Sequence, residues 1–164
     1  MLKRLHLEGF TPSLHGDLNI AGIHLGIRRQ QEIDGQNSFS NIESTQEELS
    51  DIKRSYLDRG GNFFVAQDST DQRVLGFVGI MPDEEDKTLG AIKRFAVVKE
   101  ERGNRIGTQL LSSLIEWARS SDFTKLHLST GKDENAIHLY EKFGFKTVGF
   151  DTDNQDWLME ADLA

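Results

Sequence analysis

The sequence predicts an α/β protein of the α+β kind: a mixed, mostly antiparallel central sheet of six to seven strands with helices on both faces. Three observations carry that prediction. The β-rich runs "NFFVAQD", "RVLGFVGIMP" and "TLGAIKRFAVV" follow one another with only "STDQ" and the acidic loop "DEEDK" between them, which is the pattern of an antiparallel meander. An amphipathic helix then separates the last of these runs from "KLHLST", and a strand on either side of a helix is the condition for parallel pairing. A second helix, "DENAIHLYEKFG", and the strands "FKTVGF" and "DWLMEADL" complete the chain.

Over residues 1–43, glycines and Pro12 interrupt every candidate element. "LKRLHL" alternates as an edge strand would, and "DLNIAGIHLGIRRQQEI" reads as a helix capped by Asp17, with two internal glycines costing roughly 1 kcal/mol each. From Ser44 the pattern is regular. "STQEELSDIKRSYLDRGG" has Ser44 followed three residues later by Glu47, apolar Leu49, Ile52, Tyr56 and Leu57, and a glycine stop, so one continuous helix is expected. In "GNRIGTQLLSSLIEWARSSD" the residues Ile106, Leu110, Leu111, Leu114, Ile115 and Ala118 recur at helical spacing and form one apolar stripe. Asp133 is the natural N-cap of the next helix, and Gly144 ends it.

With 164 residues the chain fits one domain, 1–164, in which 1–43 is the less regular segment and 44–160 the core. It has no cysteine, which excludes disulfides, thiolate nucleophiles and Cys-based zinc sites. His6, His15, His24, His127 and His138 show no metal-ligand spacing, so no metal is expected. The net charge of -8 disfavours nucleic acid as a partner. No apolar run approaches the ~20 residues of a membrane span, and a cytoplasmic protein without a membrane partner is the simple expectation.

The stretch "EERGNRIGTQLL" lies where a strand hands over to a helix. A helix start presents unsatisfied N–H groups and the positive end of the helix dipole, which attract an anion. Gly103 and Gly107 let the backbone bend and a ligand approach, while Arg102 and Arg105 add charge suited to phosphate. The stretch therefore reads as a pyrophosphate cradle. Neither GxGxxG nor GxxxxGK[ST] is present.

"VVKEERGNRIGTQLL", followed after the helix by "LHLSTGKDENAIHLYEKFGFKTVGF", closely resembles the GCN5-related N-acetyltransferase (GNAT) family. The resemblance covers roughly residues 44 to 160. The family's Q/R-x-x-G-x-G/A pattern falls on Arg102, Gly103, Asn104, Arg105, Ile106 and Gly107, with Arg105 in place of the first glycine. The resemblance implies acetyl-CoA as cosubstrate, its pyrophosphate held by the amides of about residues 103 to 108, with the Thr108 hydroxyl in addition. It also implies that "FAVV" is splayed from "LHLST", so that the backbone of Phe95, Ala96 and Val97 lines the pantetheine arm.

Further roles follow from the same resemblance. Tyr140 matches the tyrosine that in many family members protonates the departing thiolate, with Ser129 a second-choice acid; in an apolar helix such a tyrosine is often simply core. A coenzyme contact by Asn135 is also implied. Relatives often use a glutamate two residues before the Lys-Arg pair of "IKRFAV" as the base. This chain has Ala91 there, and Glu84, Glu85 and Glu101 are the acidic residues nearby in sequence. If Arg94 faces the acceptor cleft, it favours an acidic group on the acceptor. Residues 18 to 44, with Phe39 as a lid residue, would cover the acceptor side. The activity implied is transfer of an acetyl group to a primary amine of a small molecule or peptide in a ternary complex. The alternative is an acyl-CoA-binding or sensing module with little turnover. Exposed late strands leave room for a homodimer.

Overall fold

The computed structural model describes residues 5–9, 19–33 and 42–163. Seven strands form one sheet: β1 (Leu5–Gly9), β2 (Asn62–Asp68), β3 (Val74–Pro82), β4 (Leu89–Val97), β5 (Lys125–Thr130), β6 (Lys146–Asp151) and β7 (Asp156–Asp162), in the order β1-β2-β3-β4-β5-β7-β6. β1 to β4 pair antiparallel in chain order, so the expected meander is present and β1 lies at its edge. β4 and β5 are parallel, joined by the helix between them. The last strand, β7, runs antiparallel between β5 and β6, an insertion that the linear order of the runs does not reveal.

The helices are α1 (Ile20–Ile33), α2 (Ile42–Ser50), α3 (Ile52–Ser55), α4 (Ile106–Arg119) and α5 (Glu134–Lys142). They sort onto the two faces. All six residues of the predicted α4 stripe are buried, in a core with Val78, Ile80 and Ile92 of the sheet and Tyr140 of α5. On the opposite face α1, α2 and α3 place Ile20, Ile27, Leu49 and Ile52 against Phe63, Val65 and Phe77. Each buried Leu or Ile of these stripes contributes about 1.5–3 kcal/mol relative to exposure, so it is burial that seats both layers.

Two expectations of local structure are corrected. The helix expected to run unbroken from Ser44 begins at Ile42, which places Ser44 inside it, and it breaks at Asp51. Asp51 leaves helical geometry (φ -140, ψ 79), and its carboxylate accepts the Arg54 N–H at 3.1 Å, capping a second short turn. A short acidic side chain competes for a nearby backbone N–H in this way, so the helix restarts instead of continuing. At the start of α1 the described cap is Asn19, whose Oδ1 accepts the Gly22 N–H at 3.2 Å. The predicted cap, Asp17, and the predicted lid residue, Phe39, lie outside the described residues.

One irregularity shapes everything that follows. Phe77 of β3 pairs with Ala96 of β4 and Gly79 pairs with Lys93, so β4 carries one residue more than β3 across this interval. Arg94 sits in the bulge with φ 58, in the left-handed region. A bulge bends its strand and increases its twist. Correspondingly, β4 pairs with β5 only at Leu89–Lys125, Gly90–Leu126 and Ala91–His127, whereas β5 continues to Thr130 against β7. From Ile92 onward β4 and β5 part, and the edge of β4 that faces the gap has no partner strand among the described residues.

Candidate functional site

The start of α4 lies beside that gap. A single 3-10 turn (Lys99–Glu101) precedes an extended Arg102, Gly103 follows with φ 88, and Arg105 caps the helix in the left-handed conformation, φ 62 and ψ 20. This explains the glycine of the motif at that place: a residue with a Cβ adopts the conformation only at a cost of roughly 1–2 kcal/mol. Arg105 accepts that cost, and its backbone takes the course a glycine would. The first helical bond of α4 runs from Gln109 N to Arg105 O at 3.1 Å. The amides of Ile106, Gly107 and Thr108 therefore have no carbonyl within the helix to bond, and they stand at the positive end of its dipole. The side chains of Arg102, Arg105 and Thr108 are exposed around them.

The loop is held from beneath. Glu101, only 3% exposed, accepts from Arg73 Nη2 at 3.0 Å and from Asn104 Nδ2 at 3.1 Å. Asn104 is tied to Glu101 twice, because its backbone N–H also donates to Glu101 O at 3.3 Å, so the amide expected to serve a ligand at this position is already engaged. Glu101 is committed to the same network, which disposes of it as a base. Gly107 has a different reason for being glycine. A Cβ there would lie 2.9 Å from Phe95 Cζ and 3.3 Å from Leu139 Cδ2, so the start of α4 rests directly on the splayed strand and on α5.

Phe95 connects this contact to Tyr140, whose ring lies edge-on to it at 6.0 Å and to Phe145 at 5.9 Å. Tyr140 is 6% exposed, and burial, then the Asp133 charge, push its ionisation above the ordinary phenol range. It is a neutral donor whose hydroxyl bonds to no described residue. Phe95, Ala96 and Val97 are half-buried on β4, with Ala96 and Val97 paired to β3 on one edge only. The helix start, the splayed strand and Tyr140 are therefore one contiguous site. Asp133 caps α5 as expected, accepting the Asn135 N–H at 3.0 Å, and the Asn135 side chain is exposed on that first turn. Ser129 is exposed on the face of β5 away from the Tyr140 core, since Leu126 and Leu128 point into it.

On the α1/α2 face a polar cluster stands at the bulge. Arg94 donates from Nε to Glu48 Oε2 at 2.9 Å and from Nη2 to Oε1 at 3.5 Å, and the Tyr56 hydroxyl donates to Oε2 at 2.6 Å. Burial pushes the Glu48 carboxyl up, but the bonds from Arg94 and Tyr56 outweigh it and hold the group below its usual range. Glu48 is thus an ionised partner of Arg94, and Arg94 is already matched in charge, which removes its case for an acidic acceptor. His24 of α1 is 8% exposed beside Phe77, its pKa lowered to about 4 by burial first and by Arg28 and Arg94 next. Arg28 feels both Arg94 of β4 and Asp156 of β7, so α1 reaches over the gap between the strands that diverge. Glu48 and His24 occupy ordinary helical positions in α2 and α1, and nothing in the spacing of the sequence distinguishes them. No group of metal-binding side chains and no helix long and apolar enough to cross a membrane occurs among the described residues.

Comparison with known proteins adds three findings. The acetyltransferase (GNAT) family profile matches residues 30–145. N-acetyltransferase 8 of Homo sapiens is 33% identical over 108 residues, 62% of this chain and 46% of that protein, and N-acetyltransferase 8 of Rattus norvegicus is 32% identical over 123 residues, 71% and 54%. The chain therefore spans about half the length of these relatives. Among solved structures, a GNAT-family acetyltransferase of Staphylococcus aureus superposes with a TM-score of 0.79 at 22% identity, covering 98% of this chain and 100% of that one. An N-acetyltransferase of Thermoplasma acidophilum in complex with coenzyme A superposes with 0.76 at 18%, covering 97% and 99%.

Proposed function

Because the chain belongs to the acetyltransferase (GNAT) family, we propose that it transfers an acetyl group from acetyl-CoA to a primary amine of a small molecule or peptide, by direct attack in a ternary complex. The observation that carries this reading is the parting of β4 from β5 after the Ala91–His127 pair, with the amides at the start of α4 opening beside it.

When bound, acetyl-CoA supplies an acetyl group activated as a thioester. Of the amides of residues 103 to 108, that of Asn104 is taken by Glu101 O, and the others, with Arg102, Arg105 and Thr108 around them, are the donors for its diphosphate. The gap-facing edge of β4 at Phe95, Ala96 and Val97 offers backbone groups to an extended arm, as an added strand would find them. A β4 amide beside the bulge is suited to polarise a carbonyl oxygen, and fixed backbone donors of this kind cost no reorganisation at the moment of reaction. Tyr140 Oη is the donor placed to give the departing sulfur its proton, since a phenol kept neutral by burial carries that proton at pH 7. The remaining work is alignment of two reactants, which by itself supplies a large part of the rate.

Calorimetry with acetyl-CoA and thiol release over a panel of amines test the reading together. Tight binding with turnover on at least one amine is expected. Binding without turnover would instead establish the alternative of an acyl-CoA-binding module, for which Ala91 speaks because it removes a carboxylate from the cleft.

A further inference from the structure

His127 stands where β4 and β5 part. It forms with Ala91 the last register pair between them, so the two side chains share a face, the one that bears α1 and α2, while Leu126 and Leu128 turn into the opposite core. The His127 side chain is 32% exposed, so it is reached from solvent. Its Nε2 is buried and lies 3.2 Å from Asp83 Oδ2, off the line of a hydrogen bond and bonded to no described residue. Asp83 is itself fixed: its Oδ1 accepts the N–H groups of Glu85 at 2.9 Å and Asp86 at 3.1 Å, which leaves Oδ2 toward the ring. The small Ala91 on the intervening strand leaves His127 and Asp83 room to meet. Of the other charged groups around the ring, Glu160 is directly opposite on β7 but is engaged by Lys125 at 3.5 Å, and Lys125 also approaches Asp162. On β4, Lys93 is exposed and Arg94 is held by Glu48.

We propose that His127 is the general base that takes the proton from the acceptor amine, with Asp83 positioning its ring. This rests on the acetyl-transfer reading above. Nδ1 is the ring nitrogen left to take the proton, and Asp83 Oδ2, 3.2 Å from Nε2, sets a negative charge beside the imidazolium that results. The placement suits the reaction, since Tyr140 belongs to the core on the other side of the sheet and the base and the acid flank the gap from opposite faces. His127 takes one proton from the ammonium group, the amine nitrogen bonds to the acetyl carbon, the carbon–sulfur bond breaks, and the sulfur receives the Tyr140 proton. The nitrogen gives up its second proton to the Tyr140 oxygen through water, His127 returns its own to solvent, and each turnover releases one proton.

The test measures thiol release by the protein and by the His127→Gln and Asp83→Asn variants, using the amine of the panel that turns over fastest, across pH 6.5 to 9.5, with acetyl-CoA affinity followed by calorimetry. His127→Gln is expected to lower kcat/KM at pH 7 by roughly a hundred- to ten-thousand-fold with affinity unchanged. The deficit should shrink as the pH approaches the amine's own pKa of ~10, where the nucleophile needs no base. Asp83→Asn, which retains the turn acceptor, should show a smaller deficit with the same pH trend, and it carries the test if His127→Gln does not fold. A wild-type rate in His127→Gln at pH 7, or a deficit equal at every pH, overturns the proposal and leaves acetyl transfer standing. Coenzyme binding without thiol release from any amine by the unaltered protein overturns acetyl transfer, and this proposal with it.

Discussion

Tyr140 and Gly107 bear on the same site by different physics. Tyr140 is packed between Phe95 and Phe145 and kept un-ionised by burial. Removing its hydroxyl leaves the ring contacts in place and takes away only the proton. Tyr140→Phe should therefore lower turnover by roughly ten- to a thousand-fold while acetyl-CoA affinity in calorimetry stays nearly constant; undiminished turnover from acid to alkaline pH would dismiss Tyr140 as the acid. Gly107 acts through space. Because a Cβ would fall 2.9 Å from Phe95 Cζ, Gly107→Val must displace the splayed strand or the start of α4. It should weaken coenzyme binding and cost about 1–3 kcal/mol in denaturant unfolding, the usual range for overpacking. Tyr140 and Gly107 both follow from motif spacing. That they meet on Phe95 does not, since the contact exists only once β4 has bent at Arg94.

Elements were legible where a period and a boundary signal agree. The α4 stripe, the "KLHLST" strand and the Asp133 cap are of this kind, because each shows a clear period in its buried residues or its own punctuation at an end. The break between α2 and α3 was not legible, because Asp51 fits the polar face of a continuous helix as well as it fits a cap. Packing of α1 and α2 on the sheet carries a further consequence at His24. Its folded pKa of about 4 lies below the ordinary value of 6.5, so between these two pH values the unfolded chain binds the proton that the folded one refuses. Stability from keeping His24 neutral is full above about pH 6.5 and is lost as the pH falls toward 4, by on the order of 3 kcal/mol at most, taking 1.36 kcal/mol per unit. Urea unfolding of the protein and of His24→Gln across this window should show the two free energies converging as the pH falls. A difference that stays constant would mean that His24 is charged in the folded state or makes no contribution.

At the scale of the whole molecule, an anionic ligand is proposed for a chain of net charge -8. The resolution is local: amides and exposed arginines gather at one helix start, and Glu101, the acidic residue next to Arg102 in the chain, is buried against Arg73 and Asn104. The mixed sheet and the helices on both its faces were legible from the order of runs. The position of β7 between β5 and β6 was not, since it depends on which strand edge remains open after β5 has paired with β4. The proposed general base was likewise out of reach of spacing, because His127 and Asp83 are distant in sequence and meet only across β4. The central claim is that backbone donors at the start of α4 grip a diphosphate and so lay a thioester in the gap between β4 and β5. The crystal structure of the protein grown with acetyl-CoA tests it most directly. The account predicts the diphosphate within hydrogen-bond reach of the amides of Gly103 to Thr108 and the acetyl group between β4 and β5 near Tyr140. A coenzyme bound elsewhere, or β4 and β5 joined without a gap along their whole length, would contradict it.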